Sequence, residues 1–112
     1  MSDEPAKVAF LILSEDPARA LPGLVMASRL KENRGAQVRL LFFGPGVRLA
    51  ASGAVDEQIA TLRQVGVLPT ACRANVEQYG LSEQIAARPL ELLAAGAEIE
   101  SYASEGYTVL SF

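Results

Sequence analysis

One thiol and no imidazole define the chemistry open to this chain of 112 residues. The cysteine lies in the segment Val67 to Leu81, VLPTACRANVEQYGL. That segment reads as a short strand, a loop carrying Cys72, and a return to helical sequence. A thiolate is the reactive form of cysteine, and it attacks a sulfur donor to hold the transferred atom as a persulfide. This chemistry needs one nucleophilic sulfur and no metal. The adjacent Arg73 and the start of the following helix favour a thiolate, and Asn75 in the same loop is a weaker supporting candidate. The competing reading is inert packing, because free cysteine is among the most buried residue types.

The missing residues exclude several alternatives. Without His, a Ser-His or Cys-His catalytic pair cannot form within one chain. Without a second Cys there is no resolving thiol for a thioredoxin-like cycle. One Cys and no His do not supply the usual zinc ligands, so neither a metal nor a cofactor is expected.

Two further loops carry candidate groups. Glu15 and Asp16 have the chemistry of an acid–base pair or cation ligands, but Asp16 before Pro17 reads more simply as a helix cap. A phosphoacceptor domain would add acids near a third strand and a Lys on a late one, and neither is found. The turn Gly44-Pro45-Gly46, running into Val47, offers backbone to a phosphate. It lacks the Lys-Ser/Thr pair of a P-loop and any GxGxxG pattern, so a plain turn is the better reading. An FMN site would want a neutral Ser/Thr/Gly loop after the first strand, where Ser14 to Pro17 instead carries negative charge.

The elements that position these loops alternate along the chain. Lys7 to Leu13, KVAFLIL, is a continuous apolar run of strand length, as expected of a strand buried on both faces. A helix follows with Ala20, Leu24, Ala27 and Leu30 at helical spacing and Gly35 as its end; Pro22 places its regular part after that residue. Gln37 to Phe43 is the second strand. Val47 to Ala54 is ambiguous, and its apolar Val47, Leu49, Ala50, Ala51 and Val55 suit either a covered surface or the interior. Val55, Ile59 and Leu62 mark a helix closed by Gly66. Val67 to Ala71 is the third strand, placed near an edge or paired only briefly because Pro69 removes a donor. Arg73 to Tyr79 and a turn from Ser82 are helical. Pro89 to Ala94 is expected to be helix closed by Gly96, Ala97 to Ser101 the fourth strand, and Tyr107 to Phe112 the fifth. The alternation predicts a three-layer α/β/α sandwich with a five-stranded, mainly parallel sheet. Its carboxyl edge would gather Ser14 to Pro17, Gly44 to Val47 and Cys72 to Asn75.

Composition sets the class. Half of the residues are hydrophobic, with few aromatics and no Trp, so the core is built from Leu, Val, Ile and Ala. A chain of this length is one domain, residues 1–112, that buries about two thirds of its unfolded surface without staples. Residues 1–6 are expected to be flexible. A net charge of −3 with dispersed Lys and Arg argues against nucleic acid, and no basic amphipathic run or long apolar span suits a membrane. The polar Met1 to Pro5 does not read as a secretory signal, and the lone cysteine suits a reducing compartment, so a cytoplasmic location is expected.

The opening KVAFLIL, the segment ACRANVEQYGL, the late Leu93-Ala-Ala-Gly-Ala-Glu98 and the terminal Glu105-Gly-Tyr-Thr-Val-Leu-Ser-Phe112 together resemble the DsrE/DsrF-like sulfur-relay family. The resemblance spans about Lys7 to Phe112 and is to the broad superfamily rather than to one relay subunit. It implies a small cytoplasmic α/β/α protein assembled into a homo-oligomer, a trimer or hexamer. It also implies that Cys72 accepts sulfane sulfur from a donor protein and passes it to an acceptor protein. The alternative is a non-catalytic oligomeric or small-ligand-binding module with a structural Cys72, and a weaker third is a nucleotide binder using Gly44 to Val47.

Overall fold

The computed structural model describes residues 4–112. Among the described residues the chain forms β1 (Lys7–Ile12), α1 (Pro17–Arg34), β2 (Gln37–Phe42), α2 (Gly46–Ser52) and α3 (Asp56–Gln64). These are followed by β3 (Pro69–Cys72), α4 (Arg73–Gln78), α5 (Ser82–Ala86), β4 (Glu91–Leu93), α6 (Ala95–Ser104) and β5 (Thr108–Ser111). The strands make one sheet in the order β4-β3-β2-β1-β5, and every pair is parallel. Of the amino-terminal stretch 1–6, residues 1–3 lie outside the described residues, while the Ala6 carbonyl accepts from Gln37 N at 2.8 Å.

Topology decides which face each helix covers. From β1 to β4 the chain steps one way across the sheet, so right-handed crossovers stack the connecting helices α1 to α5 on one face. The return from β4 to β5 puts α6 on the other. The sheet is therefore the middle of three layers, with one outer layer consisting of a single helix. Register agrees: Arg39 and Thr70 share the α6 face, while Phe10, opposite Leu110, faces α1. On the α1 face Phe10 stacks on Phe112 with ring centroids 5.9 Å apart. Phe10, Ile12, Leu24, Leu40, Phe42, Ile59 and Leu62 are buried there, each worth about 1.5–3 kcal/mol of transfer free energy.

The first helix runs through Pro22 rather than starting after it. Asp16 Oδ1 accepts from Ala18 N at 2.9 Å and Pro17 pre-sets the first turn. Pro22 sits on the exposed side, so the lost backbone bond is outweighed by burial of Ala20, Leu24 and Ala27. The ambiguous stretch after β2 contains helix α2, and its apolar side chains pack inside: Val47 and Ala50 are fully buried, as is Val55, which caps α3.

Two elements near the carboxyl end differ from the sequence reading. Glu91–Leu93, expected to be helical, is strand β4, because these residues pair with Thr70, Ala71 and Cys72 of β3. Ala97 to Ser101, expected to be a strand, lies inside α6. Gly96 was the misleading residue. It does not take the positive φ of a helix stop, as Gly35, Gly66 and Gly106 do, but sits in the first turn of α6. Ala95 and Tyr102 then fall on one buried stripe. β3 lies one strand in from the edge, with Pro69 as its first residue, where a missing donor costs least.

Candidate functional site

Cys72 is the last residue of β3 and the amino-terminal cap residue of α4, with extended backbone (φ −67°, ψ 113°). The chain turns there because Ala71 and Cys72 are buried strand residues and Val76 is the buried anchor of the next turn. The Cys72 side chain makes no capping hydrogen bond. Its residue exposure is 4%, and it packs in the core. Register places it opposite Leu93 and on the α6 face with Thr70.

The three expected loops meet at this carboxyl edge. Phe43 N donates to the Ile12 carbonyl at 3.0 Å. Gly46 packs so closely that a Cβ there would collide with the same carbonyl oxygen. Asn75 Oδ1 accepts from Gly44 N at 2.8 Å, and Asn75 Nδ2 donates to Gln78 Oε1 at 3.3 Å. The Gly44 amide, which a phosphate in this turn would need, is thus already satisfied. Glu15 lies 3.9 Å from the Arg48 guanidinium, which stacks 4.0 Å over the Tyr79 ring. Asp16 caps α1, as one sequence reading had it. The Arg73 guanidinium donates to the Leu92 carbonyl at 3.3 Å and so reaches toward edge strand β4.

A cavity of about 300 Å³ opens on the same face as the thiol. Arg39, Leu68, Thr70, Glu91, Leu93 and Glu98 are among its lining residues. Thr70 precedes Cys72 by two residues, and Leu93 is its cross-strand neighbour, so the cavity runs up to the residues flanking the sulfur. The space exists because α6 alone covers a face five strands wide.

A polar cluster holds α6 beside this cavity. Arg39 donates to Glu98 at 2.7 Å, to Ser101 Oγ at 3.0 Å and to Glu105 at 3.1 Å. It also stacks on Tyr102 and Tyr107, 4.9 and 5.4 Å from the ring centroids. Burial acts to lower the Arg39 pKa, but Glu98 and the other partners outweigh it and hold the guanidinium above its ordinary value. A hydrogen bond from Ser101, aided by Arg39 and Lys7, holds the Glu105 carboxyl below the usual carboxylate range. Burial pushes the Tyr102 phenol up, and Glu98 adds to the shift. Glu98 Oε1 is taken by Arg39, and the buried Tyr102 hydroxyl has no partner of good hydrogen-bond geometry. Sequence reasoning missed this cluster. Its signal was Arg39 inside the apolar run QVRLLF, a charge in a strand otherwise bound for burial.

Comparison with known proteins extends the fold but not the site. No protein-family model matches the chain, and no curated protein matches it. Solved structures do match. BT1422 from Bacteroides thetaiotaomicron, a conserved protein of unknown function, superposes with a TM-score of 0.81 at 23% identity, covering 95% of this chain and 94% of that one. MTH1491 from Methanobacterium thermoautotrophicum, also of unknown function, gives 0.81 at 16% identity over 96% and 99% of the two chains. The ychN protein from E. coli gives 0.69 at 14% identity over 95% and 99%. All three are likenesses of fold. No helix among the described residues is long and apolar enough to cross a membrane.

Proposed function

We propose that this chain is a sulfur-transfer protein of the DsrE/DsrF-like kind, carrying sulfane sulfur on Cys72. The observation that carries the reading is the position of the chain's lone cysteine. It ends an interior strand at the gathered carboxyl edge, makes no capping bond, and adjoins a cavity lined by its neighbours Thr70 and Leu93. In the transfer step the Cys72 thiolate attacks the terminal sulfur of a donor persulfide. A new S–S bond forms at Cys72, the donor's S–S bond breaks, and the donor leaves as a thiolate. An acceptor thiolate reverses the same exchange, so no metal, cofactor or net oxidant is consumed. The exchange partners are proteins bearing thiols, the location is the cytoplasm, and the carrier is a homo-oligomer, a trimer or hexamer.

At 4% exposure, Cys72 meets a donor only when the structure around the end of β3 opens. Asn75 sets that opening through its bond to Gly44, which makes it a positioning residue. Arg73 is the nearest cation in sequence and accompanies the thiolate when the segment moves. The test is the alkylation rate of Cys72, followed by peptide mapping after exposure to polysulfide. Slow but complete alkylation with a sulfur adduct on Cys72 supports the carrier. A thiol inert to both reagents contradicts it.

One observation favours a second reading. The burial of Cys72 within the hydrophobic core suits a structural residue in a small-ligand-binding module centred on the cavity. Under that reading Cys72→Ser leaves cellular function and assembly unchanged, whereas the carrier loses transfer altogether.

A further inference from the structure

We infer that the β5 edge is a two-fold interface with a second copy of this chain, pairing Thr108–Ser111 antiparallel to itself about Leu110. Phe112 N donates to the Leu11 carbonyl at 2.8 Å, and the Phe112 carbonyl accepts from Leu13 N at 2.7 Å. Phe112 therefore points its backbone groups at β1. Alternation along the strand gives Leu110 the same direction and turns the N–H and C=O of Val109 and Ser111 outward. Among the described residues these groups have no other backbone partner.

The free groups match a second copy of themselves. Centred on Leu110, Val109 faces Ser111 of the second copy and Ser111 faces its Val109. Each couple exchanges two hydrogen bonds, four in all, and Leu110 meets Leu110 at a non-hydrogen-bonded position with Cα atoms about 4.5 Å apart. The dyad is perpendicular to the sheet, so like faces continue into like faces. A ten-stranded sheet results.

The side chains support the same occupant. Met26, Leu68, Val109 and Leu110 are the large apolar residues exposed among those described, at 39–44%. Three of the four gather here. Leu110 points to the α1 face with Phe10. Met26 lies one turn from Gly23, which packs on the Phe112 ring, so it borders the same edge. β5 lacks the charge and proline that keep many edge strands apart, since TVLS contains neither. The opposite edge, β4, is three residues long and bears Glu91. An uncharged, self-complementary edge with an apolar border fits its own copy, where a charged partner would leave Leu110 and Met26 uncovered.

The inference is independent of the role of Cys72. Sedimentation equilibrium on the whole chain gives the mass, and single cysteines at 108 to 111 on a Cys72→Ala background give the register. The expected assembly contains a two-fold axis: of the trimer and hexamer proposed above the interface selects the hexamer, with a lone dimer as its smallest form. Leu110→Cys forms an interchain disulfide about tenfold faster than Thr108→Cys, Val109→Cys or Ser111→Cys, because only position 110 faces itself. Ser111→Pro removes an outward donor without touching the β1 ladder and halves the mass, with the far-ultraviolet circular dichroism unchanged. Leu110→Lys does the same. A monomer, a trimer, a Ser111→Pro variant that keeps both its fold and its mass, or cross-linking not centred on position 110 overturns the interface.

Discussion

The side-chain oxygen of Asn75 accepts the Gly44 N–H at 2.8 Å, so the helix that follows β3 holds the turn that follows β2. Asn75 lies in the first turn of α4 and Gly44 in the turn after β2, so this bond ties the Cys72 segment to its neighbour. Asn75→Ala leaves a part-buried amide unsatisfied and costs about 1–2 kcal/mol in urea denaturation. The same variant alkylates Cys72 several-fold faster at neutral pH, because the turn that follows the thiol loses its tie to the Gly44 loop and the end of β3 opens more often. Unchanged alkylation with reduced stability would separate the strap from access to the thiol.

Gly46 offers a steric prediction. A side chain there meets the Ile12 carbonyl, which belongs to an interior strand and cannot rotate away. Gly46→Ala costs about 3 kcal/mol or more. Gly96 is the control: it sits in the first turn of α6 with open space around it and no positive φ. Gly96→Ala stabilises by about 0.5–1 kcal/mol. Thermal or chemical denaturation of the two variants gives opposite signs.

The Tyr102 hydroxyl is buried without a good hydrogen bond, and its pKa is raised, chiefly by burial. A raised folded-state value means the folded protein holds this proton more tightly than the unfolded chain. Its stability is complete below the ordinary phenol value of about 10 and falls as pH rises beyond it. Tyr102→Phe removes the unpaired group, raises stability at neutral pH by up to about 1 kcal/mol, and flattens the alkaline decline.

Glu105 titrates in the opposite sense. Its pKa is lowered, first by the Ser101 hydrogen bond and then by Arg39 and Lys7. Its contribution is complete above the ordinary carboxylate value of about 4.3 and disappears as pH falls through the lower folded-state value. Glu105→Gln therefore weakens the attachment of α6 at neutral pH and matches the wild type in strong acid. Denaturation midpoints measured against pH check the convergence.

The fold was legible where apolar runs were long. KVAFLIL announced a strand buried on both faces, QVRLLFF announced a second strand, and Ala20, Leu24 and Ala27 announced the buried stripe of α1. β4 was not legible, because three residues carry no periodicity and the pairing of Glu91–Leu93 with β3 is a tertiary fact. α6 was obscured by Gly96, whose usual role as a helix stop differs from its role here. The gathering of three loops at one edge followed from the alternation of strands and helices. The Asn75 strap, the Arg48 stack on Tyr79 and the Arg39 cluster did not, since each joins residues 31 or more positions apart. Likewise the burial of Cys72 depends on what packs over it, which the loop sequence does not state.

Whether Cys72 carries sulfur is decided by intact-mass spectrometry of the reduced protein after incubation with a persulfide-loaded donor. A carrier gains one sulfur atom per chain, a gain absent in Cys72→Ser and reversed by a thiol acceptor. An unchanged mass in wild-type protein whose Cys72 still alkylates on opening would contradict the carrier role.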